Sequence, residues 1–513
     1  MLSPRYNSWE WKAAGLLSGA MLLAWVVILA IDINHPPGVR TARMAAALLA
    51  LGLGALEFLR PGAGLTAFVF SWPFMHLLRH GLMSSLNTQA WGGFPTTLGP
   101  AAAALGIAFW LRTNGRRDFQ SPPAPAGMAF SDYVRVLLAA FVLIWCLSAV
   151  VSAAWLLGPF QHPGWHVDAL DARRLSALSA FSPAAPLGSV LRVIPELLLG
   201  ILLLNFYLGN SMRQWRDDPG ALLSAARYSA LPAAGFLIAE MLLKFSFPFD
   251  ENPPSGLFTN RNTAAPVLIV LGLLYFFSAR PEEKRSWHSF AGVGLIALAC
   301  VILSRNGVFM VLGLFWLLLF ARPTRTRLAL GIALPLLAIA AVYFVPLPRS
   351  ETLKSESLQR LVLGIEYVRA GDWANATNYR TDLYVAAVKT FTLYPVLGSG
   401  PSTFPMLVHP GAMFGIDITK NLAYMAAHSM PLNQLAETGL FGCLTWLALW
   451  IVLPFAAILR WGRNGIPALA ACVFGIGNIL DTSWLTPGIT TLAVLLLLWM
   501  CCYEAADAPH TQP

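Results

Sequence analysis

The chain has 513 residues, of which 57% are hydrophobic and only 12% are charged. A soluble protein carries about 25% charged residues, so this composition excludes an ordinary soluble domain. The formal net charge is +9, but the basic residues lie in short clusters between apolar runs, which is typical of membrane-protein loops and not of a nucleic-acid-binding face. The sequence therefore predicts an all-α polytopic membrane protein that is surrounded by lipid and binds no nucleic acid.

Apolar runs predict about fourteen transmembrane helices, with a range of about 12–14. They fall near 13–31, 43–59, 63–79, 97–111, 134–157, 189–209, 225–245, 263–279, 288–304, 306–321, 328–346, 438–459, 466–481 and 487–502. Residues 1–346 then hold the first group of helices with short loops. Residues 347–437 form one large, mainly helical loop, and 438–513 hold the last helices and a short tail.

Basic residues in the short loops give the orientation. One side of the membrane has the denser clusters: Arg5, Lys12, Arg112, Arg116, Arg117, Arg213, Arg216, Arg280, Lys284, Arg285, Arg322, Arg325, Arg327, Arg460 and Arg463. The positive-inside rule makes this side cytoplasmic. Both termini are then cytoplasmic, in agreement with an even number of spans, and the 347–437 loop lies on the outer side.

The large loop contains two stretches with helical periodicity. Their apolar residues are Leu358, Leu361, Val362 and Ile365 in the first, and Tyr384, Ala387, Val388 and Phe391 in the second. Pro395 ends the second predicted helix. The glycine-rich segment from Gly398 to Gly400 predicts a turn, not a nucleotide-binding loop, because it follows no strand and precedes no P-loop lysine.

Two arginines lie in short outer loops. Arg261 stands directly before an apolar span, and Arg305 occupies a very short turn between two such spans. A helix N-terminus suits a phosphate because it offers free N–H groups and the positive end of the dipole, and a guanidinium adds a bidentate partner. Each arginine taken alone also fits an anchor for lipid headgroups. Together, with Arg380 in the large loop, they favour an anion site.

His428 precedes a helix that is predicted to start near Ser429–Pro431. The dipole at that N-terminus favours a neutral imidazole, which can accept a proton from a sugar hydroxyl. An ordinary loop histidine is the alternative. Asp250 and Glu251 have no third ligand nearby and the cysteines lie in apolar spans, so no metal site is predicted.

Four short segments carry a shared pattern. They are FTNRNTA at 258–264, SRNG at 304–307, YR at 379–380 followed by PVLGSGPSTF at 395–404, and AHS at 427–429. These segments resemble the bacterial O-antigen ligase and polymerase superfamily of membrane glycosyltransferases. The ligase pattern of a histidine, then Asn, Ser or Gln, nine residues, Gly, two residues, and Gly, Thr or Tyr fits His428 and Ser429 through Gly439 and Gly442.

The resemblance implies a glycosyltransferase on the periplasmic face of the bacterial inner membrane, working without metal or cofactor. Its donor is a glycan on undecaprenyl diphosphate, and its acceptor is lipid A–core. His428 matches the histidine that activates the acceptor, while Arg261 and Arg305 match the arginines that hold the diphosphate. A single in-line displacement of this kind inverts the anomeric centre.

Other residues of the same motifs are further candidates for substrate contact. Arg380 matches a position of the superfamily, and Asn260, Asn262 and Ser429 flank the principal residues. We expect these four to be further substrate-binding residues.

Three alternatives stay open from the sequence. The predicted spans outnumber those expected of a ligase, which leaves room for a polymerase that uses a growing glycan as its acceptor. A polysaccharide or lipid transporter predicts internal repeats and charges on broken helices at mid-membrane, and the sequence shows neither clearly. A structural or partner-binding membrane protein would leave His428, Arg261 and Arg305 replaceable.

Overall fold

The computed structural model describes residues 9–31, 37–84, 98–114, 130–157, 186–208, 220–243, 256–258, 261–276, 286–302, 304–320, 324–346, 356–377, 379–404, 426–461, 465–482 and 489–507. All regular structure in these ranges is helical, and none of them contains a strand. The predicted all-α class is therefore confirmed for this part of the chain.

The helices are numbered in chain order. In chain order they are α1 Trp9–Ile31, α2 Pro37–Leu59, α3 Ala63–Ser84, α4 Leu98–Asn114, α5 Phe130–Leu157, α6 Pro186–Leu208, α7 Gly220–Leu243, α8 Arg261–Leu274, α9 Ser286–Val301, α10 Arg305–Phe320, α11 Arg325–Phe344, α12 Glu356–Ala370, α13 Trp373–Ala376, α14 Arg380–Leu393, α15 Met430–Leu447, α16 Leu453–Trp461, α17 Ile466–Ile479 and α18 Ile489–Asp507. Every predicted span overlaps one of them, and α12 and α14 coincide with the two periodic stretches of the large loop.

Several helices have membrane character. Four segments of the described chain are long and apolar enough to cross a membrane: Phe130–Ser152, Ala221–Leu243, Arg325–Phe344 and Met430–Trp461. Further apolar helical segments occur in the described chain, among them Leu98–Arg112, Arg261–Leu274 and Ile466–Ile479. These helices support a polytopic membrane protein, and the number of fourteen crossings remains a prediction.

Lipid-facing character is clearest on α11. Ile332, Leu336 and Leu337 are each at least 60% exposed although their helix is almost entirely apolar. A stripe of this kind is costly in water, whereas hydrocarbon chains cover it without loss. We therefore place this face of α11 against lipid.

The large loop has a small core of its own. Leu383, Ala386 and Ala387 on α14 pack with Phe404, Ala427 and Ala436. The loop is also tied to the bundle through Arg369 on α12, whose Nε donates to the Val342 carbonyl at 2.5 Å and whose Nη2 donates to that of Val345. A cation at the C-terminal end of α11 satisfies carbonyls that have no partner within the helix.

A kink divides α15 at Gly439, where φ is 68° and ψ is −165°. The helical hydrogen bonds are interrupted there, and the Leu440 N–H donates instead to the Pro395 carbonyl at 2.9 Å. The carbonyl of Ala436, freed from Leu440, accepts the Ser399 N–H at 2.9 Å. The glycine-rich turn after α14 therefore docks into the break in α15.

Candidate functional site

His428 lies just before α15, which begins at Met430 as the sequence predicted. Its backbone has φ 50°, in the left-handed region. This conformation turns the chain sharply between the buried Ala427 and Ser429. The imidazole remains partly open, with 30% of its side chain exposed. A histidine in this position can reach a bound molecule while its backbone is fixed by the start of the helix.

A carboxylate that the sequence analysis did not single out stands beside this histidine. Nδ1 of His428 is 3.7 Å from Oδ1 of Asp481. Asp481 also accepts hydrogen bonds from Asn306 Nδ2 at 3.3 Å and from the Thr482 N–H at 2.8 Å. The Nδ1 edge of the imidazole therefore faces a negative group that the protein holds in place.

Close packing of α10 on α17 places Asp481 beside His428. At Gly477, two residues before α17 ends, an added Cβ would lie 2.5 Å from Met310 Sδ and 3.2 Å from Asn306 Oδ1. The absence of a side chain lets the first turn of α10 approach the last turn of α17. Asp481 follows directly, and Asn306 meets its carboxylate.

Arg380 contacts the residue directly before Asp481. Its Nη1 donates to the Leu480 carbonyl at 2.7 Å, so α14 is held against the segment that carries Asp481. Burial raises the pKa of the nearby Tyr384 phenol, while the charge of Arg380 acts in the opposite direction. Arg380 thus has a structural contact in addition to any contact with a substrate.

The two outer-loop arginines start helices that touch. Arg261 is the first residue of α8 and Arg305 is the first residue of α10. The Ser304 hydroxyl donates to Asn262 Oδ1 at 2.9 Å and accepts the Gly307 N–H at 3.3 Å. The two N-termini are therefore joined side by side, and their positive dipole ends act on the same region.

The turn before α8 is anchored from α7 and α3. Oε2 of the buried Glu240 accepts the Gly256 N–H at 2.7 Å, and the Phe258 ring packs on Trp72 with 5.8 Å between centroids. Arg261 follows this turn and is partly buried. Asn260 and the side chain of Arg305 lie outside the described residues.

These contacts bring Asn262, the N-terminus of α10 and His428 into one region. From Asn262 the chain of contacts runs through Ser304 to α10, from Asn306 to Asp481, and from Asp481 to His428. Among the described residues no group of three or more His, Cys, Asp or Glu side chains is placed to hold a metal ion. The arrangement pairs a histidine and a carboxylate with two helix N-termini that each begin with arginine.

Comparison with known proteins identifies a related family over part of the chain. Residues 299–447 match the sequence model of a family described as O-Antigen ligase. The matched segment contains Arg305, Arg380 and the pattern from His428 to Gly442, and it ends before Asp481. The resemblance to the O-antigen ligase and polymerase superfamily is thereby confirmed. No curated protein matches the chain.

Proposed function

We propose that the chain is a glycosyltransferase of the bacterial inner membrane that moves a glycan from undecaprenyl diphosphate to an acceptor hydroxyl at the periplasmic face. The observation that carries this proposal is the contact of Asp481 with both His428 and Asn306. This contact links a candidate base to the paired helix N-termini. The family match over residues 299–447 supports the same class of enzyme.

The donor half of the site is assigned to α8 and α10. A diphosphate is a good leaving group whose departure needs charge neutralisation more than a proton. Arg261 and Arg305 supply cationic forks, and the N–H groups in the first turns of their helices supply further donors. Asn260 and Asn262 are proposed as additional polar contacts to the donor.

The acceptor half is assigned to His428, with Ser429 as a further polar contact. Since Nδ1 faces Asp481, Nε2 is the nitrogen left to accept the hydroxyl proton. The acceptor oxygen then bonds to the anomeric carbon as the bond from that carbon to the phosphate oxygen breaks. The diphosphate leaves with the electron pair, and Asp481 stabilises the charged imidazole that results.

Replacing Asp481 with asparagine tests this role. We expect Asp481→Asn to lower kcat about 10- to 100-fold, less than the full contribution of a general base, and to change the KM for the donor little. The control is Asp372→Asn at the N-cap of α13, a position where asparagine can also cap the helix. A kcat equal to that of the unchanged protein would remove Asp481 from the mechanism.

Arg305 tests the donor half. We expect Arg305→Ala to raise the KM for the lipid-diphosphate donor more than Arg305→Lys, since lysine keeps the charge and loses the fork. Arg325→Ala is the matched control, because Arg325 also begins a helix, α11, and is exposed. An equal loss in both Arg305 variants indicates a bidentate requirement, whereas no loss in either would leave Arg305 as a headgroup anchor.

A transfer assay with purified protein in detergent decides between acceptors. The donor is a polyprenyl-diphosphate glycan, and lipid A–core or a second polyprenyl-linked repeat unit is offered separately. We propose lipid A–core as the acceptor, so product should form on it. A ladder of longer polyprenyl-linked chains would instead identify a polymerase, the alternative for which the number of predicted spans leaves room. No product from either acceptor would favour the transporter.

A further inference from the structure

Asn433 holds the chain on both sides of His428. Its side-chain Oδ1 accepts the Ala427 N–H at 3.2 Å, and its backbone N–H donates to the Ser429 carbonyl at 2.8 Å. The second of these is the first backbone bond of α15, so it is the side chain of Asn433 that fixes the residue directly before the histidine. Ser429 makes no side-chain cap bond to the helix. The side-chain amide of Asn433 stabilises the chain before the helix instead, through its bond to Ala427.

Glu437 sets the orientation of that amide. Its Oε2 accepts Asn433 Nδ2 at 2.9 Å, which turns Oδ1 of Asn433 towards Ala427. Its Oε1 accepts the Phe404 N–H at 3.3 Å. Asn433 is fully buried and Glu437 is 1% exposed. A buried carboxylate is costly unless N–H donors surround it, and a hydrocarbon side chain would fill the same space more cheaply.

We infer that Asn433 and Glu437 are positioning residues that set the direction of the His428 imidazole. The inference rests on the proposed function, since it concerns the same histidine, and nothing in the family match assigns these two residues a role. The two act through the backbone of Ala427, and both side chains are buried. The left-handed φ of 50° at His428 is uncommon for a residue other than glycine, and the bond from Ala427 to Asn433 helps to hold the backbone there.

The polarity of the hydrogen bonds makes the inference testable without changing the shape of the side chains. In Glu437→Gln, the new NH2 group must face either the Phe404 N–H or the NH2 of Asn433, so one bond is lost or Asn433 turns over. In Asn433→Asp, two carboxylates meet and need a shared proton. In the double variant, the new glutamine NH2 donates to the new aspartate, and the bonds to Phe404 and Ala427 are both restored.

The experiment compares the two single variants, the double variant, His428→Ala and the control Glu366→Gln on α12. Two quantities are measured: kcat for glycan transfer at several pH values, and the rate at which diethyl pyrocarbonate modifies His428, followed by mass spectrometry of its peptide. The second measurement needs no substrate.

We expect each single variant to lose about 10- to 100-fold in kcat, the cost of a misplacement of about 1 Å, and to show an altered rate of His428 modification. At lower pH the loss in Asn433→Asp relative to the unchanged protein at the same pH should become smaller, because protonation restores a donor between the two carboxyl groups. The double variant should recover both quantities, and Glu366→Gln should change neither.

The outcomes separate the two proposals. Full transfer by His428→Ala would end the proposed function, and the modification rates would then test the positioning by themselves. Loss of transfer in His428→Ala, with single variants that match the unchanged protein in both measurements, would overturn the positioning. A double variant no better than the single variants, whether through loss of fold or of transfer, would overturn it as well. Recovery only in the double variant supports it even if the single variants fold poorly.

Discussion

His428→Ala is expected to abolish glycan transfer while the protein stays folded and inserted. A positioned general base contributes about 10²–10⁴-fold to a rate, and His428 is the residue proposed for that role. The imidazole is 30% exposed, so its removal opens no large cavity. The measurement is kcat for transfer to lipid A–core, together with the thermal unfolding midpoint in detergent.

A second substitution separates chemistry from backbone geometry. Asparagine tolerates a positive φ better than alanine does, so His428→Asn preserves the turn before α15 and still lacks an imidazole. Both variants should lose transfer to a similar extent. Normal transfer by either one would contradict the proposed mechanism, and loss in His428→Ala alone would indicate that the residue acts through the backbone.

Much of this architecture follows from local sequence. The helices could be predicted from apolar runs, because the length and composition of a membrane-spanning segment are properties of consecutive residues. The starts of α8 and α10 at Arg261 and Arg305 were predictable from charge at the end of an apolar run. The start of α15 was predictable from Ser429 and Pro431, a cap residue followed by a proline in the first turn.

Tertiary packing decided what the sequence left open. Asp481 lies 53 residues after His428 and in none of the recognised motifs, and it reaches the histidine only because Gly477 lets α10 and α17 approach closely. A carboxylate just beyond an apolar span on the outer side was the available signal. The contact of Arg380 with Leu480 likewise joins two elements that lie far apart in sequence.

Gly439→Ala is expected to have the largest effect on stability. Gly439 combines φ 68° with ψ −165°, a region that is essentially restricted to glycine. An added Cβ would lie 2.2 Å from the Val396 carbonyl oxygen and 2.8 Å from the Gly398 nitrogen. Both contacts are with backbone, so no side-chain rotation relieves them. We expect a loss of about 2–5 kcal/mol in the free energy of unfolding, from strain and overpacking together.

Gly439→Ala should disturb the candidate site as well as lower the stability of the fold. The kink frees the Ala436 and Glu437 carbonyls to accept the N–H groups of Ser399 and Gly400, each at 2.9 Å, and Glu437 is the residue that orients Asn433. Gly364→Ala on α12 is the matched control: an added Cβ there meets nothing within 4 Å, and alanine in a helix gains about 0.5–1 kcal/mol over glycine. Thermal unfolding in detergent should therefore move in opposite directions for the two variants. An unchanged unfolding midpoint for Gly439→Ala would mean that the turn after α14 does not depend on the break in α15. It would also contradict the proposal that Gly439 affects the position of His428.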